Sequence, residues 1–490
     1  MLRYCIATFG CQMNEHDSLR MREVLDVAGH TSVAEPREAD LVVVNTCSVR
    51  EKAAQKLRSF VGRLGVLKRR RPHLMIVVAG CLAQQEGEQL LKTLPQIDLV
   101  LGPDNIRELP GLLGELEQGG PPRVRTQFDL ETPHFLRART DASQPPPCAF
   151  VTVMKGCDER CSFCIVPRTR GPERYRPAHE IVSEIQQLVD RGTREVTLLG
   201  QTVNSYRDPS ESLPPAPGAG ASPWRHTPRT AARQDESEFP ALLREIARRV
   251  PRLARLRYVS PHPRHLTWSL VQAHRELPVL ARHVHLPVQS GSNLVLKRMI
   301  RRYSVEEVTE RLAALRAAVD DLTVTTDIIV GFPGETLDDF AATLTLVREL
   351  GVVGLFGFKY SPRPFTAALK LGDDIPETEK SERLARLFEV SEGLRQAHLE
   401  AQVGRSVEVL VEGPGPEQGY TGRTSRNDIV HFGCQDDPSG QLVTVEITEA
   451  FKNSLAGVLA DSIRARPIDR ARSTHRHLAA AARRSLPVIG

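Results

Sequence analysis

The chain has 490 residues, a formal net charge of +5, and 40% hydrophobic and 26% charged residues. That length calls for two or three domains rather than one core, and no run of about 18 apolar residues offers a membrane span. The start, MLRYCIATFGCQMN, has neither the basic-then-apolar order of a secretory signal nor the Arg/Ser-rich look of a transit peptide, so a cytoplasmic protein is expected. Nine cysteines spread over such a length suit metal ligation or catalysis better than a disulfide framework.

In chain order, RYCIAT, LVVVNT (41–46), LMIVVAG (74–80) and IDLVLG (97–102) read as strands. HDSLRMREVLDVAG, REKAAQKLRSFVGRLGVLKRR and QEGEQLLKTL read as the helices between them. The alternation predicts an α/β domain with an open parallel sheet over 1–118. A Pro/Gly-rich span then links it to a second alternation over 143–396: CAFVTVMKG, REVTLLG, LRYVSP, HVHLPVQSG, LTVTTDIIVGFPG and VVGLFGFKYSP, separated by helical segments. Six βα units in series predict a partial or full TIM-like barrel with its chemistry at the C-terminal ends of the strands. The stretch 207–238 holds six prolines and no periodicity, so it reads as a mobile insertion on the active face. Its Trp224, Arg225 and His226 offer stacking and phosphate contacts, against the blander reading of disorder. Over 399–461, RSVEVLVEG, GYTGRT, DIVHFG and QLVTVEITEAF alternate with period two and predict a small antiparallel β-barrel. The last stretch, 462–490, carries seven arginines against one acidic residue, which is either a solvated tail or an auxiliary polyanion contact.

The chemistry concentrates in cysteines. GCDERCSFC brings Cys157, Cys161 and Cys164 into one loop directly after an apolar strand. A zinc site would want a fourth ligand, and neither the loop nor the following TRGPERYRP offers a Cys or His. Three thiolates on a four-iron cluster would leave one iron open for a ligand. A zinc staple with a distant fourth ligand is the competing reading. Cys11, Cys47 and Cys81 each follow a predicted parallel strand at its C-terminal end, where such sheets gather ligand sites. A second three-thiolate cluster is therefore expected from residues far apart in sequence. Cys5 and Cys148 fall on strand candidates and read as core residues; Cys434 fits neither set.

The CxxxCxxC loop after the first strand of a βα series resembles the radical S-adenosylmethionine (SAM) superfamily. That resemblance implies SAM chelated to the open iron, reductive cleavage to a 5′-deoxyadenosyl radical, and Phe163 near the SAM adenine. Two three-cysteine sets followed by a small β-barrel resemble the methylthiotransferases over about 1–460, with the barrel as a TRAM domain. GCQMNEHDS and NTCSVREKA resemble the tRNA 2-methylthio-N(6)-isopentenyladenosine synthase branch, as do IVPRTRG, VTLLGQTVNSY, HLPVQSGS and DIIVGFPGET. The chain departs from that pattern at GPERYRP for GRERSRP, GQTVNSY for GQNVNSY, and YSPRPFTAA for YSPRPGTPA, which puts Phe365 where a glycine is expected.

The resemblance implies two 4Fe-4S clusters, one on Cys157, Cys161 and Cys164 and one on Cys11, Cys47 and Cys81. It implies SAM as both methyl donor and radical source. The substrate would be isopentenylated adenosine at tRNA position 37, methylthiolated at carbon 2, in the anticodon stem-loop. An aromatic C–H bond has no useful acidity, so acid–base catalysis alone cannot open it. The partners expected are tRNA, a flavodoxin-type electron donor and a sulfur source, with no membrane and a monomeric chain. Gln289, Ser290 and Gly331, ending barrel strands, are candidates for the SAM site or for ordinary turn chemistry. Arg423 and Arg426, in GRTSRND of the β-barrel, are candidates for RNA contact. The basic end of the helix in 56–72 is explained by charge matching at a helix C-terminus. Other enzyme readings are a methylthiotransferase on threonylcarbamoyladenosine or on a ribosomal-protein aspartate. A non-catalytic iron–sulfur protein is the reading from another class.

Overall fold

The computed structural model describes residues 1–130, 135, 146–220, 223–226, 234–415 and 419–460. The basic tail lies outside them. Met1–Gln127 and Phe128–Asp461 form two compact units.

The first unit is built on a six-stranded sheet: β1 (Arg3–Phe9), β2 (Thr31–Ser32), β3 (Leu41–Thr46), β4 (Met75–Ala79), β5 (Leu99–Leu101) and β6 (Arg123–Arg125). The strand order is β2-β1-β3-β4-β5-β6, and every pairing is parallel. All six residues of β3 are buried, which is why the strand reads as a continuous apolar run rather than an alternation. Helix α1 (Gln12–Val27) follows β1, and α2 (Glu51–Arg70) follows β3. The buried face of α2, Ala53, Leu57, Val61 and Leu64, has helical spacing, and its Leu57, Val61 and Leu64 share a core with Val42, Val44, Ile76 and Val78. Its basic end is structural in part, because the Lys68 ammonium pairs with Asp98 beyond β4. The short helix α3 (Cys81–Glu86) follows β4. Strand β6 falls inside the Pro/Gly-rich span expected to be linker, so the sheet runs past residue 118.

The second unit contains the expected partial barrel. β7 (Cys148–Thr152), β10 (Glu195–Leu199) and β11 (Arg255–Tyr258) make one three-stranded parallel sheet. β12 (His283–His285), β13 (Thr323–Val330) and β14 (Gly354–Lys359) make a second. A parallel bridge between Leu256 and Leu280 joins the two. Between β7 and β10, the two-residue strands β8 (Met154–Lys155) and β9 (Arg174–Tyr175) pair antiparallel and clamp both ends of the cysteine loop. Val151, Val196, Leu198, Leu256, Val284 and Val324 fill the core.

β15 (Ser406–Pro414), β16 (Tyr420–Thr424), β17 (Ile429–Phe432), β18 (Leu442–Ala450) and β19 (Leu455–Leu459) close a small barrel in the order β15-β16-β17-β19-β18. Its pairings are antiparallel except β17 with β19, which is parallel.

Two stretches carry contacts that their sequences did not announce. The insertion was expected to be mobile, yet Trp224 is only 9% exposed and packs edge-on against Trp268 with ring centroids 5.6 Å apart. The backbone N–H groups of Arg225 and His226 donate to the Glu310 carboxylate at 2.8 and 3.2 Å. Two indoles in contact bury more apolar area than a proline-broken polar stretch suggests. The GRTSRND loop carries Arg423 and Arg426, the candidates for RNA contact. Its backbone docks on the N-terminal ends of the barrel strands. Arg255 Nη1 donates to the Arg423 carbonyl at 3.1 Å, Arg257 Nη2 to the Thr424 carbonyl at 2.7 Å, and Thr323 Oγ1 to the Arg426 carbonyl at 2.9 Å. Glu195 neutralises both buried arginines, at 3.1 Å from Arg255 and 2.9 Å from Arg257. Arg426 is 11% exposed in its side chain and is held by Gln402, Asp428 and Asp321. Arg423, 35% exposed, pairs with Glu412 at 3.0 Å. These charges lock the small barrel to the end opposite the cysteine loop.

Candidate active site

The loop after β7 is shaped by its own backbone. Gly156 has φ +80°, and a Cβ there would lie 1.9 Å from the Pro172 carbonyl oxygen, so only glycine fits. Its N–H donates to Gln201 Oε1 at 2.5 Å, and the Cys157 N–H donates to the Gly171 carbonyl at 3.2 Å. Further along, the Ser162 N–H donates to the Met299 carbonyl at 2.9 Å and Ser162 Oγ to the Arg298 carbonyl at 2.8 Å. Phe163 rests edge-on against Phe332 at 6.5 Å, and Phe332 against Tyr360 at 5.1 Å, an aromatic row across the ends of β13 and β14.

Each thiol has a distinct partner. Cys157 Sγ lies 3.1 Å from Thr202 Oγ1. Cys161 Sγ accepts from Arg301 Nη1 at 3.2 Å, and Cys164 Sγ from the Val166 N–H at 3.4 Å. Burial, then charge on Cys161, pushes the Cys164 thiol up to about 12. Burial also raises Cys157 well above an ordinary thiol, with Cys164 adding to it against the Thr202 hydrogen bond. Burial and repulsion from neighbouring thiols thus oppose thiolates at Cys157 and Cys164 unless a cationic centre sits beside them. Gln201 Nε2 is buried beside the loop with no hydrogen-bond partner among the described residues. The donor set and this waiting amide fit a three-thiolate iron–sulfur cluster carrying a polar ligand.

Arg301 was missed in the sequence. It is buried, donates from Nε to Tyr303 Oη at 2.7 Å and from Nη2 to the Pro287 carbonyl at 2.8 Å, and reaches across 140 residues to Cys161. Only its adjacency to HLPVQSGS hinted at it. Glu159, also missed, is buried inside the loop and pairs with His265 Nε2 at 3.3 Å.

The other strand-end candidates divide. Gln289 is a non-glycine residue with φ +77°, its N–H on the Asp327 carbonyl at 2.9 Å, so it bends the chain at the end of a barrel strand. Ser290 is buried, with Oγ 3.4 Å from Thr343 Oγ1 and accepting from the Ser292 N–H at 3.2 Å, which is turn chemistry. Gly331 has φ +68° and donates its N–H to Glu335 Oε2 at 2.7 Å.

In the first unit, Cys11 caps α1 after β1, Cys47 follows β3 and Cys81 opens α3 after β4. The Cys47 thiol is raised by its hydrogen bond with Cys11, then by burial, and further by charge on Cys11 and Cys81. Cys47 is therefore within electrostatic reach of both Cys11 and Cys81. A buried polar lattice stands beside them. Asn14 Nδ2 donates to Asn45 Oδ1 at 3.1 Å, and Asn45 Nδ2 donates to the Asn14 carbonyl at 2.8 Å and to Ser18 Oγ at 2.9 Å. Thr46 Oγ1 and Ser48 Oγ flank Cys47, buried and with no partner among the described residues. Three thiols with two unpartnered hydroxyls beside them fit a second three-thiolate cluster. No three His, Cys, Asp or Glu side chains among the described residues converge as the donors of a single metal ion do; a four-iron cage spaces its thiolates more widely than one ion does. Cys5 lies in the core as expected, Cys148 is half-buried on β7, and Cys434 packs against the small barrel's core.

A partial barrel with three thiols in the loop after its first strand defines a radical SAM enzyme. The Radical SAM superfamily profile matches residues 151–347, the TRAM domain profile residues 400–460, and the profile of Uncharacterized protein family UPF0004 residues 3–102. Among solved structures, the radical SAM methyltransferase TsrM from Kitasatospora setae shares the fold, with a TM-score of 0.51 at 15% identity over 75% of this chain and 77% of that one. The tRNA-2-methylthio-N(6)-dimethylallyladenosine synthase of Sorangium cellulosum is 61% identical over 100% of this chain and 99% of its own. That of Anaeromyxobacter dehalogenans is 44% identical over 93% and 94%. The chain belongs to the tRNA-2-methylthio-N(6)-dimethylallyladenosine synthase family.

Proposed function

We propose that this chain methylthiolates carbon 2 of N(6)-isopentenyladenosine at position 37 of tRNA. Full-length membership in the family supports the reaction, and the cysteine loop at the mouth of the partial barrel supports its radical character. Two 4Fe-4S clusters are proposed, one on Cys157, Cys161 and Cys164, the other on Cys11, Cys47 and Cys81. When bound, SAM and the clusters supply the methyl group, the sulfur transfer and a radical able to open an unactivated C–H bond.

The chain's own residues hold and shield. Gly156, Gln201 and the β8–β9 clamp fix the loop. Arg301 and the Val166 N–H stabilise negative charge on two of its sulfurs. Phe163 and Phe332 present an apolar wall that keeps water from a reactive radical. Gln289 and Gly331 shape strand ends at this mouth, where the adenosine part of SAM would lie; Ser290 supports the turn beneath. The N-terminal domain, proposed over 1–118 and extended by β6, holds the auxiliary cysteines; the core is proposed over 143–396 and the TRAM domain over 399–461. A flavodoxin-type reductant and a sulfur donor are the proposed partners of a monomeric, cytoplasmic enzyme. No described helix is long and apolar enough to cross a membrane.

The test is anaerobic. Protein reconstituted with iron and sulfide is given SAM, reductant and tRNA bearing isopentenyladenosine, and the nucleosides are digested and weighed. A methylthio-isopentenyladenosine peak is expected. Formation of 5′-deoxyadenosine without that nucleoside would move the substrate to another target; absence of both in fully loaded protein would overturn the reading.

A further inference from the structure

We infer that Phe365, with Arg168 over its ring, is a stacking platform for an unpaired base of the substrate RNA. This rests on the reading of the chain as a tRNA-modifying enzyme. Three features coincide at Phe365. Its backbone has φ +66°, in the left-handed region that favours glycine. Its side chain is 67% exposed, so burial gives nothing back for that conformation. And the segment is fixed in place. Thr366 Oγ1 donates to the Arg363 carbonyl at 2.8 Å, and the N–H of the fully buried Ala368 donates to the Ser162 carbonyl at 2.8 Å, inside the cysteine loop. A strained residue that its surroundings hold rigidly is characteristic of ligand clamps. Here the clamp stands directly beside the cysteines.

The ring has a cation above it. Arg168 Cζ lies 4.7 Å from the Phe365 centroid. Arg168 is exposed and sits in the short helix Val166–Arg170 that follows Cys164. Ring and cation thus come from two segments tied to one loop. The stretches 160–172 and 361–372 hold Arg160, Arg168, Arg170, Arg363 and Lys370, and no acidic residue. An exposed aromatic face near the exposed cations Arg160, Arg168 and Lys370 matches a flat base carried on a phosphodiester chain. A basic rim of this kind does not suit an acid-free apolar peptide, and a duplex offers no free base face.

The experiment measures affinity of the reconstituted full chain for a fluorescein-labelled anticodon stem-loop RNA bearing isopentenyladenosine, by anisotropy at fixed salt. A fully paired RNA of equal length is the control. Phe365→Gly relieves the backbone and removes the ring, so its unfolding temperature should equal or exceed the wild type's while stem-loop affinity falls at least about five-fold. Phe365→Tyr should stay within about two-fold, Phe365→Leu should fall between, and affinity for the paired control should not change. Phe365→Gly binding the stem-loop as the wild type does would overturn the platform. So would Phe365→Leu binding as well as wild type, because an apolar contact without stacking would then suffice. If the wild type itself fails to prefer the stem-loop to the paired RNA, the tRNA reading fails before the platform is reached.

Discussion

Gly80→Ala puts the geometry of the auxiliary cysteines to a direct test. Gly80 precedes Cys81 with φ +94° and ψ −160°, a region only glycine occupies readily. An added Cβ would stand 2.2 Å from Asn45 Oδ1 and 2.8 Å from the Thr46 carbonyl oxygen. Asn45 cannot yield without losing its bonds to Asn14 and Ser18, and Thr46 cannot yield without moving Cys47. The backbone strain is worth about 1–3 kcal/mol. Two disrupted hydrogen bonds add about 0.5–1.5 kcal/mol each, for a total of roughly 2–6 kcal/mol. Gly29→Ala is the matched control: its φ is +81° but nothing lies within 4 Å of the new Cβ, so only the left-handed cost of about 1–2 kcal/mol applies. The assay is iron and sulfide content after anaerobic reconstitution, with thermal unfolding alongside. Gly80→Ala should melt below Gly29→Ala and lose one cluster's share of iron, while Gly29→Ala loads fully. Full loading of Gly80→Ala at the melting temperature of Gly29→Ala would refute the close packing of Gly80 against the Cys47 strand end.

Three more outcomes are expected. Arg301→Met removes the buried donor to Cys161 Sγ, so the reduction potential of the cluster should move to more negative values in spectroelectrochemistry; an unmoved potential would show that the contact does not tune it. Trp224→Ala should cost about 3 kcal/mol and open the 207–238 stretch to limited proteolysis, and an unchanged digestion pattern would mean that the Trp268 contact does not anchor it. Asp208→Asn should destabilise near neutrality and lose that disadvantage in acid. Burial pushes the Asp208 carboxyl up, but hydrogen bonds from Ser212, the Ala178 N–H and Ser210 outweigh burial and hold it well below the ordinary 3.8. A depressed carboxylate stabilises the fold fully above its ordinary value and loses that contribution as pH falls toward the folded value. The gap between wild type and variant in urea midpoint should therefore narrow only below about pH 3.8, and a constant gap down to pH 2 would contradict the linkage.

Much of this architecture is written locally. Strands β3 and β4, which carry Cys47 and Cys81 at their ends, are buried on both faces, so each appears as an unbroken apolar run, and the residue after such a run in a parallel sheet lands on the ligand edge. Cys11, Cys47 and Cys81 could be grouped by their place after strands, and the Cys157–Cys164 loop by its spacing directly after an apolar strand. What escaped reading depends on partners distant in sequence. Arg301 meets Cys161 across 140 residues, and Trp224 becomes core only because Trp268 is there to meet it. β6 was lost because a three-residue edge strand, Arg-Val-Arg, has too few positions to display a period.

The same dependence explains why basic residues misled. Arg423 and Arg426 look like nucleic-acid contacts because a short polar loop between strands reads as exposed. Yet Arg255 and Arg257, spaced to face the same way along β11, need the carbonyls of that loop as acceptors. Glu195 alone cannot satisfy two buried guanidinium groups with up to five donors each. Docking the loop is thus part of the solution to burying β11's charges, and it turns the loop's own arginines toward Glu412, Asp428 and Asp321. Arg255, Arg257, Arg423 and Arg426, which serve the fold, therefore gather at the end of the barrel opposite the Cys157–Cys164 loop. Arg160 and Arg302 are exposed near the cysteine loop, as is Arg168. A net charge of +5 is silent on this division, because it sums the two populations. A polyanion steered by the exposed cations would approach the strand ends that hold the thiols, which is the face where a reactive radical could reach a base.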